Sequence, residues 1–437
     1  MITALAVVAL RVIVPAAVTA ADVPPAPRAE PAPGLRAPSV PDDAAPAAGA
    51  PASGSEVDSP SSATPAGTDA GALEGAAATA SPWTIPEGGA QDGVFAAAQI
   101  FVGGDATWAA TTPDTVLPAF RIDRAEVGGG ARAGMLGALV RFETIRSAAP
   151  QSAFGIDGNS LLPRLKLAWG AMRPTFALGP VDLIVEARAG LVPEPWLETL
   201  EQRLGARGLL PLPSERAELL LPADLGASLT VQLPRAGLDV RIALTNGEGA
   251  KEVELDTAKN IGGLVAYTPW RFDLGGPLEL GLQVGGRFGT TGIASVDDHR
   301  AHAAVFASHD RVHFVVEGSV GAGQDARAEV RPVAVGGVVD VIAIPRWLGF
   351  TARLDGRTAD LAVIDSWRHD ALLAVFSDLG LADSGVLRRT RLWCAVEGSL
   401  LMPGAGPVAG VPLAGQFVRG LVTLEVTGVT DVFDPRL

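Results

Sequence analysis

Four of the five histidines fall in one stretch, at His299, His302, His309 and His313. Clustered imidazoles suggest a metal centre, because neutral imidazole is a common ligand for zinc and copper. The surrounding sequence supplies no such shell: Cys394 is the only cysteine, and no H-E-x-x-H pair is present. If the intervening turn pairs Ala307 with Val312, His313 faces Phe306 and His302 faces Glu317, all on the polar side of one hairpin. A His302–Glu317 pair of that kind would titrate near neutral pH. The simpler reading is polar side chains on one hairpin, with no bound metal. Neither a G-x-S-x-G nor a Walker A pattern occurs, and Gly128-Gly129-Gly130 with Gly134 lacks the G-x-G-x-x-G spacing and reads as a turn. The expectation is a non-enzyme without cofactor.

A second set of capable residues is dispersed. Glu186, Arg188, Asp239, Arg241, Glu279, Arg287, Arg353, Asp355, Arg391, Glu397, Arg419 and Glu425 each occupy the polar position of an apolar–polar alternation. Charges of both signs facing one enclosed space impose a transverse field, not a preference for one sign. They are expected to line a pore, provided that the elements carrying them close around a lumen.

Those elements are strands. Asp224 to Leu233 places Leu225, Ala227, Leu229, Val231 and Leu233 on one face and Asp224, Ser228, Thr230 and Gln232 on the other. Leu238 to Thr245, Leu278 to Phe288 and Leu348 to Asp355 repeat the pattern, which has the period of a strand with one apolar face. Sixteen such segments centre near Val102, Arg124, Val140, Ala168, Glu186, Ser228, Ile242, Val265, Gln283, Ala304, Val316, Val335, Ala352, Val375, Cys394 and Val422. Tight turns alternate with longer links. The turns are Gly128 to Gly134, Pro234 to Gly237, Asp273 to Pro277, Ser308 to Asp310, Pro345-Arg346 and Leu381 to Gly385. Short turns at one rim and long loops at the other, over an even number of strands, predict an all-β, transmembrane antiparallel β-barrel. Closure satisfies every backbone polar group within lipid, and sixteen strands predict a water-filled interior. Trp108, Trp169, Tyr267, Trp270 and Trp347 lie near segment ends, where interfacial girdles sit, and Cys394 shares the lipid-facing parity of Leu392 and Val396.

Composition is consistent with this. The 437 residues carry a net charge of −14, which excludes an electrostatic nucleic-acid binder, and a lone cysteine excludes an intramolecular disulfide framework. Mean hydropathy is positive, yet beyond the N-terminus no apolar run is long enough for a spanning helix. Residues 1–21 read as a signal peptide. Residues 22–92, rich in Ala and Pro, read as a disordered periplasmic spacer, and 93–437 as the barrel.

Arg188-Ala189-Gly190-Leu191-Val192-Pro193-Glu194-Pro195-Trp196 resembles the strand-to-loop element of the phosphate-selective porin O and P family. Asp224-Leu225-Gly226-Ala227, Leu244-Thr245-Asn246-Gly247-Glu248 and Phe120-Arg121-Ile122-Asp123-Arg124-Ala125 are similar to further elements of that family. The resemblance implies a sixteen-stranded homotrimeric porin whose third external loop folds inward. The link 192–222, the third long one and the longest, matches that loop, with Glu194, Trp196, Glu198, Arg203 and Arg207 at the constriction and a short helix within Glu198 to Arg207. Phosphate selectivity in the family depends on clustered lysines, whereas this chain has only Lys166, Lys251 and Lys259. Its end, Phe433-Asp434-Pro435-Arg436-Leu437, also departs from the usual terminal aromatic.

The expected function is a porin-like channel of the bacterial outer membrane for passive diffusion of small hydrophilic solutes or ions. Its partners would be outer-membrane lipid, those solutes and two further copies of the chain. The alternative is a non-transport barrel serving as surface anchor, adhesin or loop-borne enzyme.

Overall fold

The alternation read from the sequence becomes the wall of a closed barrel. The computed structural model describes residues 93–109, 112–146, 161–179, 181–204, 211–247, 249, 259–273, 276–291, 296–324, 328–345, 347–363, 367–379, 387–401 and 417–433. The expected signal peptide and spacer lie outside the described residues.

In chain order the strands are β1 (Gly93–Ala109), β2 (Thr112–Ala133), β3 (Leu136–Arg146), β4 (Leu161–Met172), β5 (Thr175–Leu178), β6 (Val181–Pro193), β7 (Ala223–Leu233), β8 (Leu238–Thr245), β9 (Asn260–Asp273) and β10 (Pro277–Phe288). After a two-stranded flap, β11 (Thr290–Thr291) and β12 (Val296–Asp297), come β13 (His299–His309), β14 (Val312–Ala322), β15 (Val333–Ile344), β16 (Leu348–Thr358), β17 (Arg368–Asp378), β18 (Leu387–Leu401) and β19 (Phe417–Phe433). Each wall strand pairs antiparallel with its chain neighbours, and β1 pairs with both β2 and β19, which closes the sheet. Strands β4 and β5 both pair with β6 and form one wall position interrupted at Arg173-Pro174, so the barrel has sixteen strands. Two short helices, α1 (Pro195–Glu201) and α2 (Pro213–Arg216), interrupt the link between β6 and β7.

Period-two patterning decides which face each side chain meets. Along β8, Arg241, Ala243 and Thr245 are buried while Ile242 and Leu244 are half-exposed on the outside. Leu229, Ile261, Val284, Leu354, Leu373, Val396 and Val422 continue this outer belt of exposed apolar residues around the barrel. An apolar exterior on a closed antiparallel sheet is the lipid-facing surface of a transmembrane barrel. Cys394 is exposed on it.

Several local expectations change. Gly128, Gly129 and Gly130 are not a turn but part of β2, and the chain reverses at Gly134-Met135. Pairing with both β1 and β3 holds these glycines extended, and glycine fits because a Cβ on Gly130 would sit 2.6 Å from the Phe95 ring. The turn after β13 is Asp310-Arg311, so His309 pairs with Val312, Ser308 with His313 and His302 with Ser319. The shift moves Glu317 opposite Ala304 instead of His302, although both still face inward. Trp169 is not a girdle residue. A register irregularity between β3 and β4 turns it inside, where Arg188 lies 4.6 Å over its ring. Tyr267, Trp270 and Trp347 are exposed outside, and the side chain of Trp108 lies outside the described ones.

The interior is also drier than sixteen alternating strands imply. Leu264, Phe306, Val315, Val338, Leu372, Phe376, Trp393 and Leu421 all project inward and form one apolar cluster with residues of the β6–β7 link.

Candidate functional site

The site is the lumen narrowed by the β6–β7 link. Glu194 N–H donates to the Pro222 carbonyl at 3.1 Å, which closes the base of the link where it leaves the wall. Pro195 and Pro213 begin α1 and α2, positions where a fixed φ and a missing N–H cost a helix nothing. The helix therefore spans Pro195–Glu201, earlier than the Glu198–Arg207 expectation. Arg207 lies outside the described residues.

Trp196, Leu197, Leu200, Leu204, Leu212 and Leu220 are buried against the inner wall cluster. At about 1.5–3 kcal/mol for each fully buried large apolar side chain, this packing is the main term holding the link inside.

Three polar anchors fix where it sits. Glu317 on β14, 1 % exposed, accepts the Trp196 indole N–H at 2.9 Å and the Ser214 backbone N–H at 2.7 Å, so one carboxylate joins both helices to the wall. Glu198 on α1 accepts from Arg188 and from Arg241, each at 2.8 Å, facing β6 and β8. Arg216 on α2 donates to Asp370 and to Glu397, each at 3.1 Å, and stands 3.8 Å from Asp355, facing β16 to β18. The link thus presents a negative group to one wall and a positive group to another. Gln283 adds an amide N–H to the Trp196 carbonyl at 3.3 Å.

Within the link, burial raises the Glu194 carboxyl above its ordinary range, with Arg287 opposing that shift. Burial lowers the Arg203 guanidinium, which Glu279 partly restores; Arg203 lies 3.8 Å over the Phe306 ring and 3.6 Å from Glu279.

The other sequence-selected residues occupy inward positions but belong to separate groups. Glu186 and Asp239 flank Arg188 and Arg241, with Asp239 accepting from Arg241 at 2.9 Å. Arg353, Asp355, Glu397 and Arg419 gather around Arg216. Arg287 pairs with Asp298, and Arg391 stands 3.8 Å from Asp378 and 4.4 Å from the Phe376 ring. Glu425 accepts the Trp393 indole N–H at 3.0 Å, and Glu279 meets Arg271 at 3.2 Å. His302 hydrogen-bonds Ser319 at 2.8 Å and lies 5.0 Å, ring to ring, from Trp196.

Sequence reasoning passed over Glu317 as an anchor, Asp370, and the group formed by Glu126, Arg141 and Lys166. Their inward parity was the available signal. Arg216 carried none, because it stands in a link without periodicity.

Two quoted motifs meet in space. Asp224 of the D-L-G element accepts the Gly247 N–H of the T-N-G element at 2.6 Å, tying the β7 start to the β8 end. Gly190, two residues after Arg188, has φ +124°, and a Cβ there would lie 2.3 Å from the Ala168 carbonyl oxygen. Only glycine permits both that conformation and that approach.

No family model matches this chain, and no curated protein matches it. Among solved structures, the chain is similar to the anion-selective porin from Comamonas acidovorans at 14 % identity and a TM-score of 0.49, over 77 % of this chain and 100 % of that one. It is similar to Salmonella typhi OmpF, in a complex with daunomycin, at 12 % identity and a TM-score of 0.48, over 78 % and 98 %. It is also similar to Pseudomonas aeruginosa OccK9 at 13 % identity and a TM-score of 0.40, over 78 % and 98 %. At these values the functional reading rests on the geometry of the barrel itself.

Proposed function

We propose that this chain is an outer-membrane porin-like channel for passive diffusion of small hydrophilic solutes or ions, diverged from the phosphate-selective O and P type. One observation carries the reading: a closed lipid-facing barrel encloses a charged lumen into which its longest described link folds, held by an acid on one side and a base on the other. A segment fixed across a lumen in this way sets an aperture. Glu186, Arg188, Asp239, Arg241, Glu279, Arg287, Arg353, Asp355, Arg391, Glu397, Arg419 and Glu425 line the path, and Glu194, Trp196, Glu198 and Arg203 shape its narrowest part. The mixture of signs supports weak ion selectivity and argues against a phosphate filter.

The channel assembles as a homotrimer, with residues 22–92 as a periplasmic spacer behind a cleaved signal peptide. An external groove of about 900 Å³ supports contact between copies, since Gly170, Ala187, Ala189 and Ala227 leave it shallow between Met172, Leu229 and Ile242.

A second reading, a non-transport barrel acting as anchor, adhesin or loop-borne enzyme, draws support from the apolar cluster that fills part of the interior. Purified protein in planar lipid bilayers separates the two. The channel gives ohmic single-channel steps. Protein that shows the mobility shift of a folded barrel on unheated SDS gels, yet passes no current, is the non-transport barrel.

A further inference from the structure

We propose that a pocket inside the barrel, between α2 and the β16–β19 wall, is a binding subsite for a small monocarboxylate with a compact apolar body. The inference names a solute class for the proposed channel and rests on that reading for its route of access.

The pocket measures about 180 Å³. Three guanidiniums, Arg216, Arg353 and Arg419, and a single carboxylate, Glu397, line it. All three arginines converge on that one acid: Arg353 at 2.8 Å and Arg216 at 3.1 Å donate to one oxygen, and Arg419 donates to the other. Behind this layer stand Asp105, Asp355 and Asp370, balanced in part by Arg357 and Arg368. At the pocket surface three guanidiniums stand against the one carboxylate of Glu397, which disfavours an ammonium ion there. The Nε of Arg419 makes no hydrogen bond, whereas the Nε of Arg353 stands 3.5 Å from Asp355, so an incoming anion must compete for the guanidinium nitrogens that Glu397 holds.

The remainder of the pocket is apolar. Trp393, 1 % exposed and packed 4.5 Å from the Phe376 ring, stands beside Leu372 and Leu421. A hydrated phosphate would leave this surface unmatched and bring two charges against Glu397. A planar carboxylate matches the arginine fork and adds one charge, while its apolar body covers Trp393 and Leu372.

Glu397 competes for the same donors as the ligand. Removing its charge should therefore strengthen binding, a sign that a purely structural role does not produce. The test is calorimetric titration of the folded full-length barrel in detergent with benzoate, against benzyl alcohol, benzylamine and inorganic phosphate. Benzoate is expected to bind at one site per chain at least about tenfold more tightly than each comparator, the scale of one hydrogen bond to a charged group. Arg419→Ala, the most exposed of the three arginines, should weaken it by about tenfold, and Glu397→Gln should tighten it. Folding of each variant is read from its mobility on unheated gels; should Glu397→Gln not fold, Arg419→Ala decides. Benzoate binding no tighter than benzyl alcohol, or unchanged in Arg419→Ala, overturns the subsite. Because titration requires no conduction, a silent barrel that binds benzoate contradicts the channel alone. A conducting barrel indifferent to benzoate contradicts the subsite alone.

Discussion

Two buried ionic groups face the lumen from different walls, and a base of the inward link enters one of them directly. On β2 to β4, Glu126 accepts from Lys166 at 2.8 Å and from Arg141, while Glu143 meets the same Lys166 at 3.0 Å and also Arg164. Every partner in those pairs belongs to the wall, and the Glu126 side chain is fully buried. On β16 to β18, Asp355, Asp370 and Glu397 meet wall arginines too, but Arg216 arrives from α2. Its side chain is 13 % exposed and bridges all three acids. The same chemistry therefore does two things. In the first group it joins neighbouring strands; in the second it also ties the position of the constriction to charge.

Breaking the first group should have the larger effect on stability and none on the pore. Glu126→Gln leaves Lys166 and Arg141 without their shared carboxylate, and losing one partner of a buried pair costs about 3–5 kcal/mol. The heat-induced mobility transition on gels should fall, while single-channel conductance of the folded fraction stays unchanged. Breaking the second should reverse that emphasis. After Arg216→Ala, Asp370 keeps Arg357 and Arg368, and Glu397 keeps Arg353 and Arg419, so the cost is about 1–3 kcal/mol. Conductance should rise as α2 loses its hold. Equal conductance in wild type and variant would erase the distinction between the two groups.

Smaller effects sharpen it further. Glu198→Gln removes the negative anchor, but Arg188 keeps Glu186 and Arg241 keeps Asp239. Stability should drop by about 1 kcal/mol, while the reversal potential in a salt gradient moves toward anions because two lumen arginines lose a counter-charge. The smallest effect concerns Glu194, whose carboxyl burial raises above the ordinary value of 4.5. A raised carboxyl pKa means that the docked link holds this proton more tightly than the released link. The associated stabilisation is complete below about pH 4.5 and declines as pH rises through the raised value. Docking, followed by protease protection of the link, should weaken over that window, and Glu194→Gln should make the protection flat with pH.

The wall and its contents were not equally legible in the sequence. The β7–β8 hairpin could be read almost to the residue, because strict alternation runs into Pro234-Arg235-Ala236-Gly237 and Gly237 adopts φ +66°. Where alternation slips, the reading slipped. The β3–β4 irregularity reverses Trp169, and the Gly128-Gly129-Gly130 run is part of β2, with Gly130 placed where a Cβ would meet the Phe95 ring. The contents of the lumen were harder still. Phe306, Phe376 and Trp393 sit at inward parity and are apolar because they seat the link, a tertiary requirement that no local period encodes. Glu198 was visible as part of a long acidic and aromatic loop. Arg216 was not, since its three acidic partners come from strands 139 to 181 residues further along the chain.

On the proposed reading, the inward link sets the aperture through opposite charges held on two walls. Single-channel conductance of the Glu198→Gln/Arg216→Ala double variant, measured beside wild type in the same bilayers, tests it most directly. The expected result is ohmic steps from both proteins with a larger conductance in the double variant. Equal steps, or folded wild-type barrels that pass no current, would contradict it.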